Sequence, residues 1–150
     1  MKLFTNIAAS KTNIISSIVM TQKSETGKIG EDLACRFLRD QGYRIIDRNF
    51  KRTFGELDII CQDPDRTLVF VEVKTMKPFY NSAGNLVDPQ LKPEDQMSRS
   101  KFLKTAKIAA AYAASNKNLI QDDRGWRIDL VAISIESKNT DIRHYKNISV

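Results

Sequence analysis

The chain has 150 residues, of which 41% are apolar and 28% charged, and it carries a formal net charge of +6. This length suits one domain with a core of its own, and the composition excludes a disulfide scaffold because there are only two cysteines. No apolar run approaches the ~20 residues of a transmembrane helix, and the basic balance favours nucleic acid, or next an anionic membrane, as a partner, although it is also compatible with solubility alone.

The first 26 residues are rich in Ser, Thr and Asn and contain no acid before Glu25. A targeting peptide is one interpretation, but the apolar stretch 14–20 is too short and too polar for a secretory core. The other interpretations are an upstream start chosen over Met20 and a disordered extension. We predict a flexible N-terminal extension over residues 1–26 and a single cytoplasmic domain over residues 27–150.

Apolar residues at helical spacing predict a first helix from about Gly27 to Gln41, ended by Gly42 as a left-handed cap. Gly30 falls inside the apolar face of this helix, which would permit close packing against a sheet. Glu31 lies at the border of that face, and Asp32 lies on the side expected to face solvent.

Five strands and a second long helix follow the first helix. The third strand is almost entirely apolar, which is typical of a central strand covered on both faces. The predicted elements are strands over Tyr43–Asn49, Glu56–Gln62 and Thr67–Thr75, a helix over Glu94–Ser115, and strands over Arg124–Ile135 and Asp141–Ile148. The order α-β-β-β-α-β-β predicts an α/β fold with a mixed sheet flanked by helices.

Two stretches after the third strand are candidates for substrate contact. Residues 76–93 form a long predicted loop that is either a substrate-contacting flap or an insertion. The second helix carries a basic stripe of Arg99, Lys101, Lys104 and Lys107. Such a stripe is either a solvated helix face or a surface that contacts phosphates.

Acidic residues cluster where the second and third predicted strands run side by side. If the turn between these strands places Gln62 opposite Leu68, then Asp58 lies opposite Glu72. Lys74 follows two residues after Glu72 on the same face, because side chains alternate along a strand. The hairpin therefore predicts carboxylates and an ammonium group on one face.

Carboxylates grouped in this way suit Mg²⁺ or Mn²⁺, which prefer hard oxygen ligands. We expect Asp58 and Glu72 to bind the ion, with the backbone carbonyl of Val73 as a third ligand. In the same register Glu56 lies opposite Lys74 and could add a ligand. Lys74 would orient an attacking water or stabilise developing negative charge. The alternative is an ion-pair network in which Lys74 bonds Glu56 or Glu72 and holds the hairpin together.

The spacing of Asp58 and Glu72-Val73-Lys74 resembles the metal-binding signature of the PD-(D/E)xK nuclease superfamily. The chain is more closely similar to the YraN-type family of bacterial proteins, and the matching segments together span about residues 27–135. In chain order these segments are 27–34 (GKIGEDLA), 42–43 with 48–49, 55–60 (GELDII), 68–75 (LVFVEVKT), 93–94 with 101, and 127–131 (RIDLV).

The resemblance implies a restriction-endonuclease-like core in which Asp58 and Glu72 are metal ligands and Lys74 is the catalytic lysine. It also implies that Glu31 is a first-helix glutamate near the metal, and that Lys101 is a second-helix lysine in contact with phosphate. The fourth strand contributes one further acid to the match.

That acid is Asp129, which we expect to be structural and paired with Arg127 or Lys101. The chain also departs from the family pattern. Met76 stands where the family often has an arginine, segment 77–92 is longer than usual, and no proline precedes the first acid of the signature. These departures affect the expected substrate contacts, and they leave the predicted ligands in place.

The leading hypothesis is a Mg²⁺- or Mn²⁺-dependent nuclease that acts on DNA rather than RNA, with a branched or structured substrate such as junction resolvases cleave. The alternative is a nucleic-acid-binding module without cleavage, which would use Arg99, Lys101 and Lys104. A structural interaction protein is the third interpretation. No membrane partner is expected. Because junction resolvases act as dimers, the last strand, 141–148, is a candidate homodimer interface.

Overall fold

A computed structural model of the chain describes residues 25–78, 80–86, 92–121, 123–137 and 139–149. Helix α1 covers residues 25–40, and helix α2 covers Arg99–Ser115. The strands are β1 (Arg44–Arg52), β2 (Gly55–Gln62), β3 (Leu68–Met76), β4 (Trp126–Ile135) and β5 (Thr140–Tyr145). Short 3-10 turns cover Pro93–Gln96 and Lys117–Leu119.

The five strands form one mixed sheet in the order β1-β2-β3-β4-β5, with β3 at its centre. Strands β3 and β4 are parallel and are connected through α2, whereas the other neighbouring pairs are antiparallel. The predicted α/β class and the order α-β-β-β-α-β-β are therefore confirmed. Of the predicted extension over residues 1–26, residues 1–24 lie outside the described part of the chain, and the last two already belong to α1.

A buried apolar cluster lies on each face of the sheet. The cluster on the α1 side includes Leu38, Ile59, Val71 and both cysteines, Cys35 and Cys61, which are buried free thiols. The cluster on the α2 side includes Leu57, Ile60, Phe70, Ile108 and Ala109. The alternation of β3 between the two clusters explains why its sequence is nearly all apolar.

Helix α1 approaches the sheet most closely at Gly30. A Cβ atom at this position would lie 1.7 Å from the Oγ1 of Thr75, near the end of β3. Only glycine permits this approach, as the predicted apolar face of the helix had suggested. The contact places the next residue of α1, Glu31, at the end of the sheet where β3 finishes.

The prediction of one continuous helix from Glu94 was wrong. Residues Pro93–Gln96 form a 3-10 turn, and the chain leaves helical geometry at Met97, whose ψ is 86°. Ser98 then caps α2, because its side chain accepts a hydrogen bond from the backbone N–H of Lys101 at 3.2 Å. This cap fixes the start of the helix that covers the α2 side of the sheet.

The predicted loop over residues 76–93 is only partly described. Strand β3 extends through Met76, and a turn over residues 80–86 is closed by an isolated bridge between Tyr80 and Leu86. Residues 79 and 87–91 lie outside the described part. Among the helices that the structure describes, none has the length and hydropathy required to cross a membrane.

Candidate active site at the end of the central hairpin

The β2–β3 hairpin has the register that the sequence predicted. Gln62 pairs with Leu68, and the ladder continues as far as Ile59 and Val71. Beyond this point the side chain of Asp58 makes the connection, because its Oδ2 accepts a hydrogen bond from the backbone N–H of Val73 at 2.8 Å. The first candidate ligand is thus attached to the strand that carries the second.

Glu72 is buried between β3 and α2, with 1% of its surface exposed. Its Oε1 lies 2.8 Å from the Nζ of Lys74 and 3.4 Å from the Nζ of Lys101. Its Oε2 accepts a long hydrogen bond of 3.4 Å from the hydroxyl of Thr105. Both lysines and the threonine therefore meet on one buried carboxylate.

Asp58 is also buried, with 8% of its surface exposed. Burial, and after it the nearby charge of Glu72, raise the pKa of its carboxyl group from 3.8 to about 7. The hydrogen bond from Val73 and the charge of Lys101 act in the opposite direction. Asp58 and Glu72 are therefore both buried, and the charge of Glu72 is close enough to disfavour ionisation of Asp58.

Glu31 lies at the same end of the sheet, on α1. Its Oε2 accepts a hydrogen bond of 2.9 Å from the side-chain amide of Asn49, and Arg48 lies 3.8 Å from the same oxygen. The charge of Glu31 contributes to the raised pKa of Asp58, so α1 faces the carboxylate pair. The neighbouring Asp32, predicted to be solvated, accepts a hydrogen bond of 2.7 Å from Arg48.

Glu56, in contrast, does not join the cluster. Its exposed carboxylate lies 3.9 Å from Lys51 on the neighbouring strand, and the described ladder between β2 and β3 ends before it reaches this residue. The alternation of side chains between the two faces of the sheet is also interrupted in β2. Leu57 and Ile59 are two residues apart and should share a face, but Ile59 belongs to the α1-side core and Leu57 to the α2-side core. The prediction that Glu56 opposes Lys74 was therefore wrong.

The cause of this change lies in β1, the partner strand. Its register shifts between Ile45 and Asp47, and Asn49 has a φ of +53°. After Asn49 the side chain of Phe50 packs in the α2-side core beside its partner Leu57. A left-handed residue inside a strand turns the following side chains to the other face, which simple alternation cannot predict.

The predicted basic stripe on α2 divides into two groups. Lys101 is directed towards the sheet and reaches Glu72, as described above. Arg99 and Lys104 are exposed on the outer side of the helix, where they line a shallow groove of about 480 Å³ with Lys107 and Leu103. The three residues predicted to contact nucleic acid therefore do not form a single surface.

The carboxylate pair suits a hard divalent cation in the chemistry of its donors. Two desolvated carboxylates of like charge repel each other, and a cation bound between them would stabilise both ionised forms. Within the described residues, no group of three or more His, Cys, Asp and Glu side chains is arranged to hold a metal ion. A metal at this position would thus need Asp58, Glu72 and a non-acidic third ligand, for which the carbonyl of Val73 stays the prediction.

Comparison with known proteins identifies relatives of this chain. A model of the family described as "Uncharacterised protein family UPF0102" matches residues 30–133. A UPF0102 protein of Syntrophus aciditrophicus is 34% identical over 128 residues, covering 85% of this chain and 91% of the relative. One from Persephonella marina is 39% identical over 121 residues, covering 81% and 90% of the two chains.

The chain belongs to the UPF0102 family. The matched segment contains every candidate site residue, from Glu31 on α1 to Lys104 on α2. Membership of the family predicted from the sequence segments is therefore confirmed. The family description names no activity, so the chemistry has to be argued from the site itself.

A second polar cluster, which we call the Arg127 cluster, lies on the α1 side of the sheet. Its guanidinium donates to Asp129 at 2.9 Å, to Asp63 at 2.7 Å and to the hydroxyl of Tyr43 at 3.2 Å. His144 lies 2.9 Å from the other oxygen of Asp129. These contacts join four parts of the chain: the segment after α1, the end of β2, β4 and β5.

Asp129 is fully buried, and its pKa is held below the usual 3.8, although burial alone would raise it. The hydrogen bonds from His144, Arg127 and the backbone N–H of Asn147 favour the charged form. Of the two partners considered for Asp129 in the sequence, Arg127 is correct. Lys101 contacts Glu72 instead, and the structural role of Asp129 stays a prediction.

Sequence reasoning missed Thr105 and Asn49 as members of the site. Thr105 follows Lys101 by four residues, so both lie on one face of α2. That spacing could have indicated Thr105 once Lys101 was directed towards the sheet. For Asn49 the signal was weaker, because its contact with Glu31 depends on the left-handed turn in β1.

Proposed function

We propose that this UPF0102 protein is a metal-dependent nuclease that hydrolyses phosphodiester bonds in DNA. The observation that carries the proposal is the buried pair of Asp58 and Glu72, with Lys74 and Lys101 in contact with Glu72. Buried charges are retained against their desolvation cost where they are paired or bind a metal. A desolvated carboxylate with a strongly raised pKa is also typical of functional sites.

Each residue has a distinct role in this proposal. Asp58 and Glu72 hold a Mg²⁺ or Mn²⁺ ion together with the carbonyl of Val73. When bound, the ion supplies charge neutralisation at the phosphate and a water of lowered pKa. Lys74 keeps its proton at Nζ and donates hydrogen bonds to the developing negative charge. Glu31 faces the same end of the sheet and assists in positioning the nucleophile.

The DNA substrate is supported by charge and by the resemblance to the nuclease superfamily. Helix α2 carries four basic residues and no acid over its 17 residues, and it borders the carboxylate pair. Exposed Arg99 and Lys104 supply contacts to the phosphate backbone, and Lys101 contacts phosphate next to the site. A branched or structured DNA is the proposed target, by analogy with junction resolvases, in the cytoplasm where DNA is accessible.

The test is a cleavage assay on linear, single-stranded and four-way-junction DNA with Mg²⁺ or Mn²⁺. The variants Asp58→Asn, Glu72→Gln and Lys74→Met keep the side-chain shape while they remove the charge. Each is expected to lower the cleavage rate at least about a hundredfold, with little effect on DNA binding in EDTA. Glu56→Gln is the matched control, since its carboxylate is exposed outside the cluster, and it should cleave as wild type does.

The alternative is a non-catalytic nucleic-acid-binding module, and one observation favours it. The ammonium groups of Lys74 and Lys101 together already neutralise Glu72, as a purely structural network requires. This alternative predicts no cleavage of any DNA by wild type, and a weaker, less salt-dependent binding when Arg99 or Lys104 is replaced. Cleavage by wild type that survives in Glu72→Gln would contradict the proposed roles.

A further inference from the structure

An exposed aromatic ring lies beside the basic helix, at the tip of the β1–β2 hairpin. Arg52 pairs with Gly55, so Thr53 and Phe54 form a two-residue turn. The positive φ at this tip, 149°, belongs to Gly55, and neither Thr53 nor Phe54 has one. Phe54 is 44% exposed. The turn thus presents a large aromatic side chain to solvent, where a ligand can reach it.

The hairpin tip is held against α2 by a close contact at Gly55. A Cβ atom at Gly55 would lie 2.8 Å from the Cδ1 of Ile108, so the absence of a side chain lets the turn approach the helix. This approach brings the Nζ of Lys107 to 5.1 Å from the centre of the Phe54 ring. The ring is therefore held in place by the helix while it stays exposed.

The surroundings of Phe54 are basic and partly apolar. Lys107 and Leu103 lie one helical turn apart on the outer side of α2, and Leu103 is 56% exposed. Lys104 and Arg99 line the same groove. The nearest acid along the chain, Glu56, is engaged with Lys51. We name this surface, formed by Phe54, Leu103, Lys107, Lys104 and Arg99, the hairpin–helix surface.

We infer that the hairpin–helix surface binds unpaired nucleotides of the DNA substrate, with a base stacked against Phe54 and the phosphates beside Lys107 and Lys104. Single-stranded nucleic acid is recognised by this combination of an exposed aromatic ring and a basic groove. A duplex keeps its bases inside and offers the ring nothing to stack on. The inference deepens the proposed function and rests on it, because it names DNA with unpaired bases as the substrate class.

The position of the surface connects it to the carboxylate pair. Phe54 precedes Asp58 by four residues at the start of β2, and Lys104 follows Lys101 by one helical turn. The exposed side of α2 carries Lys104 and Lys107, and its sheet-facing side reaches Glu72 through Lys101. In this inference, a strand whose base stacks on Phe54 follows α2 from the hairpin tip towards the carboxylate pair.

The test measures binding of a fluorescein-labelled oligothymidylate to the full chain by anisotropy, in EDTA so that no cleavage occurs. Phe54→Leu keeps an apolar side chain and removes the flat ring. We expect it to weaken binding of the single strand by about five- to a hundredfold, and to leave binding of a blunt duplex unchanged. Phe54→Tyr keeps the ring and should bind as wild type does, which controls for the fold of the turn.

The salt dependence separates stacking from charge. Phe54→Leu should shift the affinity equally at every salt concentration, whereas Lys107→Gln should reduce the slope of log affinity against log salt by about 0.7. Single-strand binding by Phe54→Leu equal to wild type would overturn the inference, and so would an equal loss for the duplex. These titrations contain no metal ion. A failure of the nuclease proposal would therefore be seen in the cleavage assay and would not change the binding result.

Discussion

At the scale of single residues, the two acids of the candidate site differ in what surrounds them. Glu72 has two ammonium groups within 3.4 Å. Asp58 accepts one backbone hydrogen bond, and burial with the charge of Glu72 raises its pKa to about 7. Its surroundings therefore disfavour the ionised form of Asp58, and this form opposes folding at neutral pH.

This difference predicts that Asp58→Asn stabilises the metal-free protein at high pH. A carboxyl group with a raised folded pKa binds its proton more tightly in the folded state, so wild type loses stability as pH rises from 3.8 through about 7. Asparagine does not titrate and can still accept from Val73. The urea midpoint of the variant in EDTA should exceed that of wild type at pH 8, and the difference should shrink towards pH 4.

Asp141→Asn is the matched control for this experiment. Its side chain is mostly exposed and paired only with Arg143 on the same strand, so its effect on the midpoint should be small at both pH values. Equal midpoints for Asp58→Asn and wild type at pH 8 would show that the Asp58 carboxylate is not desolvated in solution.

At the scale of elements, the contact of α1 with β3 determines where Glu31 lies relative to the site. A Cβ atom at Gly30 would fall 1.7 Å from the hydroxyl oxygen of Thr75, which is buried and has no hydrogen-bond partner among the residues that the structure describes. A side chain at residue 30 can therefore be accommodated only if the helix moves away from the strand.

Gly30→Ala is expected to destabilise the fold by about 1–3 kcal/mol, because overpacking forces the helix outward. Gly27→Ala is the matched control on the same helix. A Cβ atom there meets nothing within 4 Å, and alanine should stabilise the helix by up to about 1 kcal/mol. Urea unfolding measures both changes.

A double variant tests whether the cost arises from this contact. Gly30→Ala combined with Thr75→Ala should recover part of the loss, since the atom nearest to the new methyl group is then absent. Two alanine variants at residues 27 and 30 with equal stability would contradict the close approach seen here.

The elements also explain what the sequence could and could not predict. Alternation and turn chemistry predicted the register of Gln62 with Leu68 correctly. The described ladder ends at Ile59 and Val71, and Asp58 is joined to β3 by its hydrogen bond from Val73. The same rule misplaced Glu56, because the left-handed Asn49 in the neighbouring strand changes which side chains face α2. The prediction considered only β2 and β3, so it could not include an irregularity in the neighbouring strand β1.

The start of α2 was misjudged for a related reason. Pro93 with Glu94 indicated a helix start, and helical turns do follow, but only as far as Gln96. Ser98 provides the cap of the longer helix. Lys101 was predicted to contact phosphate or Asp129, and its contact with Glu72 depends on the docking of α2 on the sheet, which the sequence alone does not specify.

At the scale of the whole molecule, the two polar clusters differ in how the charge of their buried aspartate is stabilised. The Arg127 cluster joins β2, β4 and β5 with a buried aspartate whose charge is fully hydrogen-bonded. In the carboxylate pair, Glu72 contacts α2, and burial with the charge of Glu72 raises the pKa of Asp58 to about 7. The net charge is +6 and helix α2 contains no acid, so the carboxylate pair has a basic border that suits a polyanion.

Strand β5 forms one edge of the sheet, as predicted, and a homodimer through this edge stays a prediction. The sequence segments that identified the family also contain the residues that the fold brings together at the hairpin end. The proposed function requires that the carboxylate pair binds a metal ion.

The most direct measurement is a calorimetric titration of Mg²⁺, and then Mn²⁺, into wild type, Glu72→Gln and the control Glu56→Gln, with and without DNA. The account predicts binding by wild type and Glu56→Gln and its loss in Glu72→Gln. Absence of binding by wild type, even with DNA present, would contradict the metal site and identify Asp58, Glu72 and Lys74 as a structural ion-pair network.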